Sequence, residues 1–330
     1  MLVRLFKNTY PLQISLVILA LIALWMPAFL IPVTPVNDYD KLQPLYNLLI
    51  VNNLLNNSLL CSLAAMVLLL AEALFLNRIV NNFQLISKTT FLPALVYILL
   101  MSFHPAGLTL HPTLLANLFL LLILNNLFFS NDNQNHYQAV LSIGFYLSVA
   151  SMFFFPIVLL VPVLLIFVAT VSTRPVREII IYFTGVTLPY YFLAFSYFML
   201  NDLREISHAY IQFLWNFLDF TLHYTLFDLG IMGWLVFLFI LSILHISRTL
   251  FEMIIANRRK YIFLIFIALA LIVGTGFSPD PLQDGIMVVF PSSCILLSKY
   301  LSDLRRKKWA DFLLWMLIVF IVIAKVRWYA

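Results

Sequence analysis

Residues 138–171 read QAVLSIGFYLSVASMFFFPIVLLVPVLLIFVATV, 34 positions without one charged side chain. As a single helix the stretch would be about 50 Å long, well beyond the ~30 Å hydrocarbon core of a bilayer. Within it, FFFPIVLLVP at 153–162 offers a break, because Pro156 removes a backbone donor and disfavours an unbroken helix. The stretch therefore reads as two short helices, 138–154 and 157–171, that turn back on each other.

The rest of the chain sets the medium. Of its 330 residues 63% are hydrophobic and only 10% charged, with mean hydropathy +1.01. A water-soluble domain carries roughly 25% charged residues. The composition thus predicts an all-α polytopic membrane bundle in one integral membrane domain, 1–330. Apolar segments near 11–33, 58–77, 90–103, 112–130, 138–154, 157–171, 177–200, 229–247, 261–277, 285–299 and 309–326 give about eleven spans, ten to twelve with the boundaries. The N-terminal run has a basic start and no small-residue cleavage site, and reads as an uncleaved first span.

Charge supports the hairpin at Pro156. With the N-terminus inside and eleven spans, 15 of the 19 Lys and Arg residues fall on the cytoplasmic side, as the positive-inside rule prefers. Only Lys41, Arg204, Lys325 and Arg327 fall outside. Eight of the 14 acids, among them Asp38, Asp40, Asp202, Glu205, Asp219, Asp228, Asp280 and Asp284, lie in or next to the outer connections 34–57, 104–111, 201–228 and 278–284. The net charge of +5 is then a topology signal helped by anionic lipid, and carries no implication of nucleic-acid binding. The basic segments NRRK and DLRRKKW belong to the same signal.

Some chemistries have no sequence footing. Cys61 and Cys294 lie far apart inside apolar stretches and read as small core residues. The six histidines form no H-E-x-x-H or H-x-x-x-H, and there is no Walker A, G-x-G-x-x-G or G-x-S-x-G motif. No internal repeat stands out.

Four places remain for chemistry. Asp38-Tyr39-Asp40 is a D-x-D directly after the first span. Two such carboxylates either share a divalent cation, Mg or Mn, or act as a general base and its orienting partner. The connection 201–228 places Glu205, His208, Gln212, Asn216, Asp219 and His223 at steps of three and four. On a helix these form one thin polar stripe on an otherwise aromatic surface, which suits an amphipathic helix lying in the membrane plane. The turn GFSPDPLQDG adds Asp280 and Asp284, and HPAGLTLHP adds His104 and His111. Within the spans, Glu72 and Asn117 are intramembrane polar groups. Arg78 follows Glu72 by six positions, so pairing or snorkelling toward the cytoplasmic interface is the expected fate of Glu72.

Two strings, AEALFLNRIVNNFQLISKTTFLPALVYILLMSF at 71–103 and RPVREIIIYFTGVTLPYYFLAFSYF at 174–198, resemble an uncharacterised family of bacterial inner-membrane proteins, a likeness that covers most of the chain. The order of first span, acidic pair in the first outer connection and then many short paired spans resembles the GT-C glycosyltransferases. That resemblance implies a membrane enzyme that uses a polyprenyl-phosphate-linked sugar donor at the outer face of the cytoplasmic membrane. It implies Asp38 or Asp40 as catalytic base or metal ligand, and an outer cation such as Arg204 on the donor phosphate. The polar stripe of 201–228 and the acids Asp280 and Asp284 would help shape the groove. Two other classes stay open: a non-enzymatic envelope scaffold that assembles with other envelope membrane proteins, and a transporter or flippase for lipid or polysaccharide.

Overall fold

The computed structural model describes residue 6 and residues 11–30, 43–48, 58–86, 89–132, 136–171, 174–200, 204, 208, 210–211, 226–276, 285–304 and 306–329. Among the described residues the chain is helical and contains no strand. The principal helices are α1 (Pro11–Leu30), α2 (Ser58–Asn82), α3 (Leu92–Met101), α4 (Pro112–Asp132), α5 (His136–Phe153), α6 (Leu160–Val171), α7 (Pro175–Met199), α8 (Leu226–Thr249), α9 (Ile255–Thr275), α10 (Phe290–Asp303) and α11 (Lys307–Tyr329). Each apolar segment read from the sequence coincides with a helix over most of its described residues. Among the described residues seven helices are long and apolar enough to cross a membrane: α1, α2, α4, α7, α8, α10 with the 3-10 turn before it, and α11. The chain is a polytopic helical membrane protein. Helices α3, α5 and α6 are shorter, and α9 opens on the basic string NRRK.

The break inside 138–171 is real. Phe154 is extended, at φ −143° and ψ 101°, and a 3-10 turn at Phe155–Leu159 leads into α6. The contacts of α5 with α7 show why the chain must reverse there. Gly144 lies on the backbone of Tyr182 and Val186, and Gly185 lies on that of Leu141. Further along, Ser148 donates to the Val186 carbonyl at 2.5 Å, and Ser151 bonds the Tyr190 hydroxyl at 2.6 Å. Residue numbers rise together in both helices, so α5 and α7 are parallel. A chain that leaves the end of α5 and re-enters at the start of α7 needs a return helix, and α6 is that helix.

The remaining contacts sort the connections to two ends. At one end, Tyr261 donates to the Leu85 carbonyl at 2.5 Å, Asn257 to the Gln84 carbonyl at 3.4 Å, and Phe91 N–H to the Phe6 carbonyl at 3.0 Å. This end holds Arg78, Arg174, Arg248, Arg258 and Arg306, and is the basic end. Its cations rest on aromatic faces: Arg177 stands 4.4 Å over Tyr137, and Lys260 5.2 Å over Phe83. At the opposite end, Tyr46 donates to the Leu110 carbonyl at 2.9 Å, Trp25 to Ser102 at 3.2 Å, and the Tyr210 ring lies 4.8 Å from Phe155. The charge pattern predicts the same partition.

Burial ranks the helices. All ten residues of α3 are buried. The spanning windows of α4 and α10 are 61% and 67% buried, against 17% for α7. The centre is therefore α3, α4 and α10, while α7 presents Tyr191, Phe192, Phe195 and Phe198 outward. An apolar outer surface of that kind requires lipid around it.

The α5–α7 contact is the tightest backbone approach in the bundle. A Cβ at Gly144 would stand 2.5 Å from the Tyr182 carbonyl oxygen, and one at Gly185 would stand 2.5 Å from that of Leu141. Neither neighbour is the free end of a side chain. Gly144→Ala and Gly185→Ala are each expected to destabilise the protein by about 1–3 kcal/mol, read as a lower thermal midpoint in detergent. Gly230→Ala, which meets nothing within 4 Å, is the control and should not lower it.

Candidate functional site

The centre of the bundle is polar where α2, α3, α4 and α10 meet. Glu72 on α2 is 0% exposed, as is Asn117 on α4. Tyr97 on α3 donates to Glu72 Oε2 at 2.8 Å. Asn117 and Cys294 both stand beside the Tyr97 side chain. Asn117 Nδ2 donates to the Met287 carbonyl at 3.0 Å, in the 3-10 turn Ile286–Val289 that precedes α10. Toward the end opposite the basic one the polar side chains continue. Thr113 Oγ1 contacts Met287 Sδ at 3.7 Å and His111 Nδ1 at 2.8 Å. Glu72 Oε1 and Asn117 Oδ1 have no hydrogen-bond partner.

This corrects the expectation for Glu72. It neither snorkels nor pairs with Arg78, which is exposed at the basic end. The helical step from 72 to 78 is 600°, so the two side chains point away from each other. Tyr97, on the neighbouring helix α3, is the partner. Cys61 and Cys294 are both buried, as their surroundings in the sequence suggest.

Beside this centre, at the end opposite the basic one, an apolar cleft of about 130 Å³ separates α8 from α9 and α10. Met232, Leu235, Phe239, Ile272 and Val289 line it, with Thr275 and Ser293 as its polar groups. At the same end Lys325 of α11 is 5% exposed and donates to the Leu24 carbonyl of α1. Its burial places an amine next to the helix that leads into residues 31–42, a feature that hydropathy alone assigns to the tail of a span.

Asp38 and Asp40 lie outside the described residues, as do Glu205, Gln212, Asn216, Asp219, His223, Asp280 and Asp284. The fit of a divalent cation at the acidic pair therefore has no geometry attached to it. Of the candidates in this connection, Arg204 and the stripe residue His208 are helical and exposed. Nearby Tyr210 is packed on Phe155 of the α5–α6 turn, which ties the 201–228 connection to the bundle. Burial, then the neighbouring Tyr190 and Tyr197, pushes the Tyr210 phenol up and keeps it neutral. Among the described residues no group of three or more His, Cys, Asp or Glu is placed to hold a metal.

The basic end has its own opening, a groove of about 980 Å³ between α8, α10 and α11. Trp234, Phe237, Trp309 and Phe312 form its walls. At its polar foot Asp303 bridges Lys299 at 3.1 Å and His245 at 3.5 Å. Such part-exposed pairs contribute little to stability, about 0–1 kcal/mol each. The amphipathic shape suits lipid contact.

No curated protein matches the chain, and no solved structure matches it. One family does, over residues 42–329, which takes in the central polar cluster and both openings. The chain belongs to this family of unknown function, DUF6427.

Proposed function

We propose that the protein is a GT-C-like glycosyltransferase that takes its sugar from a polyprenyl-phosphate donor at the outer face of the cytoplasmic membrane. In this reading the chain crosses the bilayer eleven times, with the basic end inside. The apolar cleft between α8, α9 and α10 carries the proposal. It lies at the end from which the Asp38–Asp40, 201–228 and 278–284 connections emerge, and its walls suit a prenyl chain. A lipid donor enters sideways from the bilayer, so its phosphate comes to rest at headgroup depth, beside the connections that hold the acids.

Transfer needs two things from the protein. The acceptor hydroxyl must lose its proton, which is work for a carboxylate, Asp38 or Asp40. The leaving phosphate must be stabilised by positive charge. Arg204 is exposed at this end, and Lys325 is buried there. The thin polar stripe and Asp280 and Asp284 would shape the acceptor side.

The activity test uses the full chain in nanodiscs with a panel of radiolabelled polyprenyl-phosphate sugars. Asp38→Asn or Asp40→Asn should abolish transfer at unchanged protein level. Unaltered transfer, or unaltered envelope glycans in the native host, in both variants would sink the reading. Ser293→Phe, which fills the cleft, should raise KM for the lipid donor about tenfold with kcat little changed. A saturation curve identical to that of the parent would remove the cleft from the donor path.

Lipid or polysaccharide transport is the second reading, and Glu72 favours it, since a carboxyl buried inside a spanning bundle is a frequent mark of ion-linked movement. Substrate flux in proteoliposomes that vanishes in Glu72→Gln, with no transfer activity, would favour transport over the enzyme.

A further inference from the structure

We propose that Glu72, Tyr97 and Asn117 form a proton-binding site in the middle of the bundle, loaded and unloaded from the end that holds His111. The proposal stands apart from sugar transfer and rests on the donors and acceptors around one carboxyl.

A count of partners shows what is missing. Tyr97 donates its only hydroxyl hydrogen to Glu72 Oε2 at 2.8 Å. The Asn117 amide is already committed through Nδ2 to the Met287 carbonyl at 3.0 Å and the Met101 sulfur at 3.5 Å. Two acceptor oxygens are then left over, Glu72 Oε1 and Asn117 Oδ1, both fully buried and both unpartnered. Their side chains flank the same Tyr97 hydroxyl. A proton on Oε1 turns one of the two surplus acceptors into a donor. It also removes the charge, whose isolated burial in an apolar medium is far more costly than neutralisation.

Among the described residues packed on this centre, no other charge competes for the role. Helix α1, packed on α2, carries no ionisable side chain. Helix α3 brings only Tyr97, and α10 brings Cys294 beside it. Helix α4 brings Asn117. The 3-10 turn Pro105–Leu108 brings no ionisable group. Arg78, the nearest cation along α2, is exposed at the basic end. Glu72 therefore has no counter-ion within the packed centre, and the exchange is simple: the carboxylic acid gives up H⁺ and becomes a carboxylate held by Tyr97.

The direction of access follows from where the polar groups run. From Asn117 they continue through Thr113 to His111, which is 8% exposed. Toward the basic end, α2 offers Asn77, one and a half turns on, and then the apolar residues Leu76, Ile79 and Val80, all 0% exposed. Proton exchange thus favours the His111 end.

The test uses the full chain in oriented proteoliposomes, with pH set separately on each side and the carbonyl stretch of a protonated carboxyl followed by infrared difference spectroscopy. The expected result is a band at neutral pH that is absent in Glu72→Gln and that is lost on raising pH on the His111 side only. Thr113→Val combined with His111→Leu should slow that loss. Tyr97→Phe, which removes the donor that favours the ionised form, should move the loss upward by about 1 pH unit. This variant keeps the proposal testable should Glu72→Gln fold poorly. A band missing at neutral pH, a band unchanged at every pH on both sides, or equal loss from both sides would each overturn the proposal. So would loss driven by sodium at constant pH.

Discussion

In hydrocarbon a backbone carbonyl without a partner has no water to turn to, and the fold depends on meeting that requirement wherever a helix stops short. This bundle stops short often. The turn after α2 leaves Gln84 and Leu85 carbonyls, which Asn257 and Tyr261 take from α9. The passage from α3 to α4 leaves Leu110, taken by Tyr46. The 3-10 turn before α10 leaves Met287, taken by Asn117. Each of these bonds joins residues far apart in sequence, so the repair of local breaks also sets which helices are neighbours. Tyrosine and asparagine suit the task because each reaches across a helix–helix gap with one polar tip on an apolar or compact body.

The same requirement creates the central polar cluster. With Asn117 and Tyr97 drawn into α3 and α10, a carboxyl on the adjoining face of α2 finds a donor without reaching the surface. Glu72 is therefore tolerated in the middle of the bundle by Tyr97, whose hydroxyl bonds its carboxyl beside the Asn117 that closes the Met287 carbonyl. The cleft by α8 has a related origin. Helix α8 has only 28% of its spanning window buried and touches the centre along one side. Space is left between it and α9.

How much of this is legible in the sequence differs by scale. Hydropathy locates every helix, and the reversal at Pro156 follows from the length of one apolar run and the sign of the charges around it. Gly144 and Gly185 are not legible, since nothing in either segment says that the other lies against it. Glu72 was assigned the wrong neighbour because Arg78 is near in sequence, whereas Tyr97 is near only once α2 and α3 fold back at residues 83–91. Lys325 and Ser293 gain meaning only from their surroundings in three dimensions. The acidic pair at 38–40 lies outside the described residues and is a reading of sequence position alone.

Helix α3 has a consequence for how the protein is made. It is about 15 Å long, half the hydrocarbon thickness, and every residue of it is buried in protein. Such a segment is apolar but too short to span alone, and the N–H of Phe91 just before it is held by the Phe6 carbonyl, made long before it. Its other wall is α10, synthesised almost two hundred residues later, whose Cys294 thiol donates to the Pro93 carbonyl at 3.2 Å. During translation α3 must wait, half-sheltered, for a partner that has not yet emerged from the ribosome. The nascent chain thus carries α3, its shortest principal helix, without its α10 wall from early in synthesis to nearly the end.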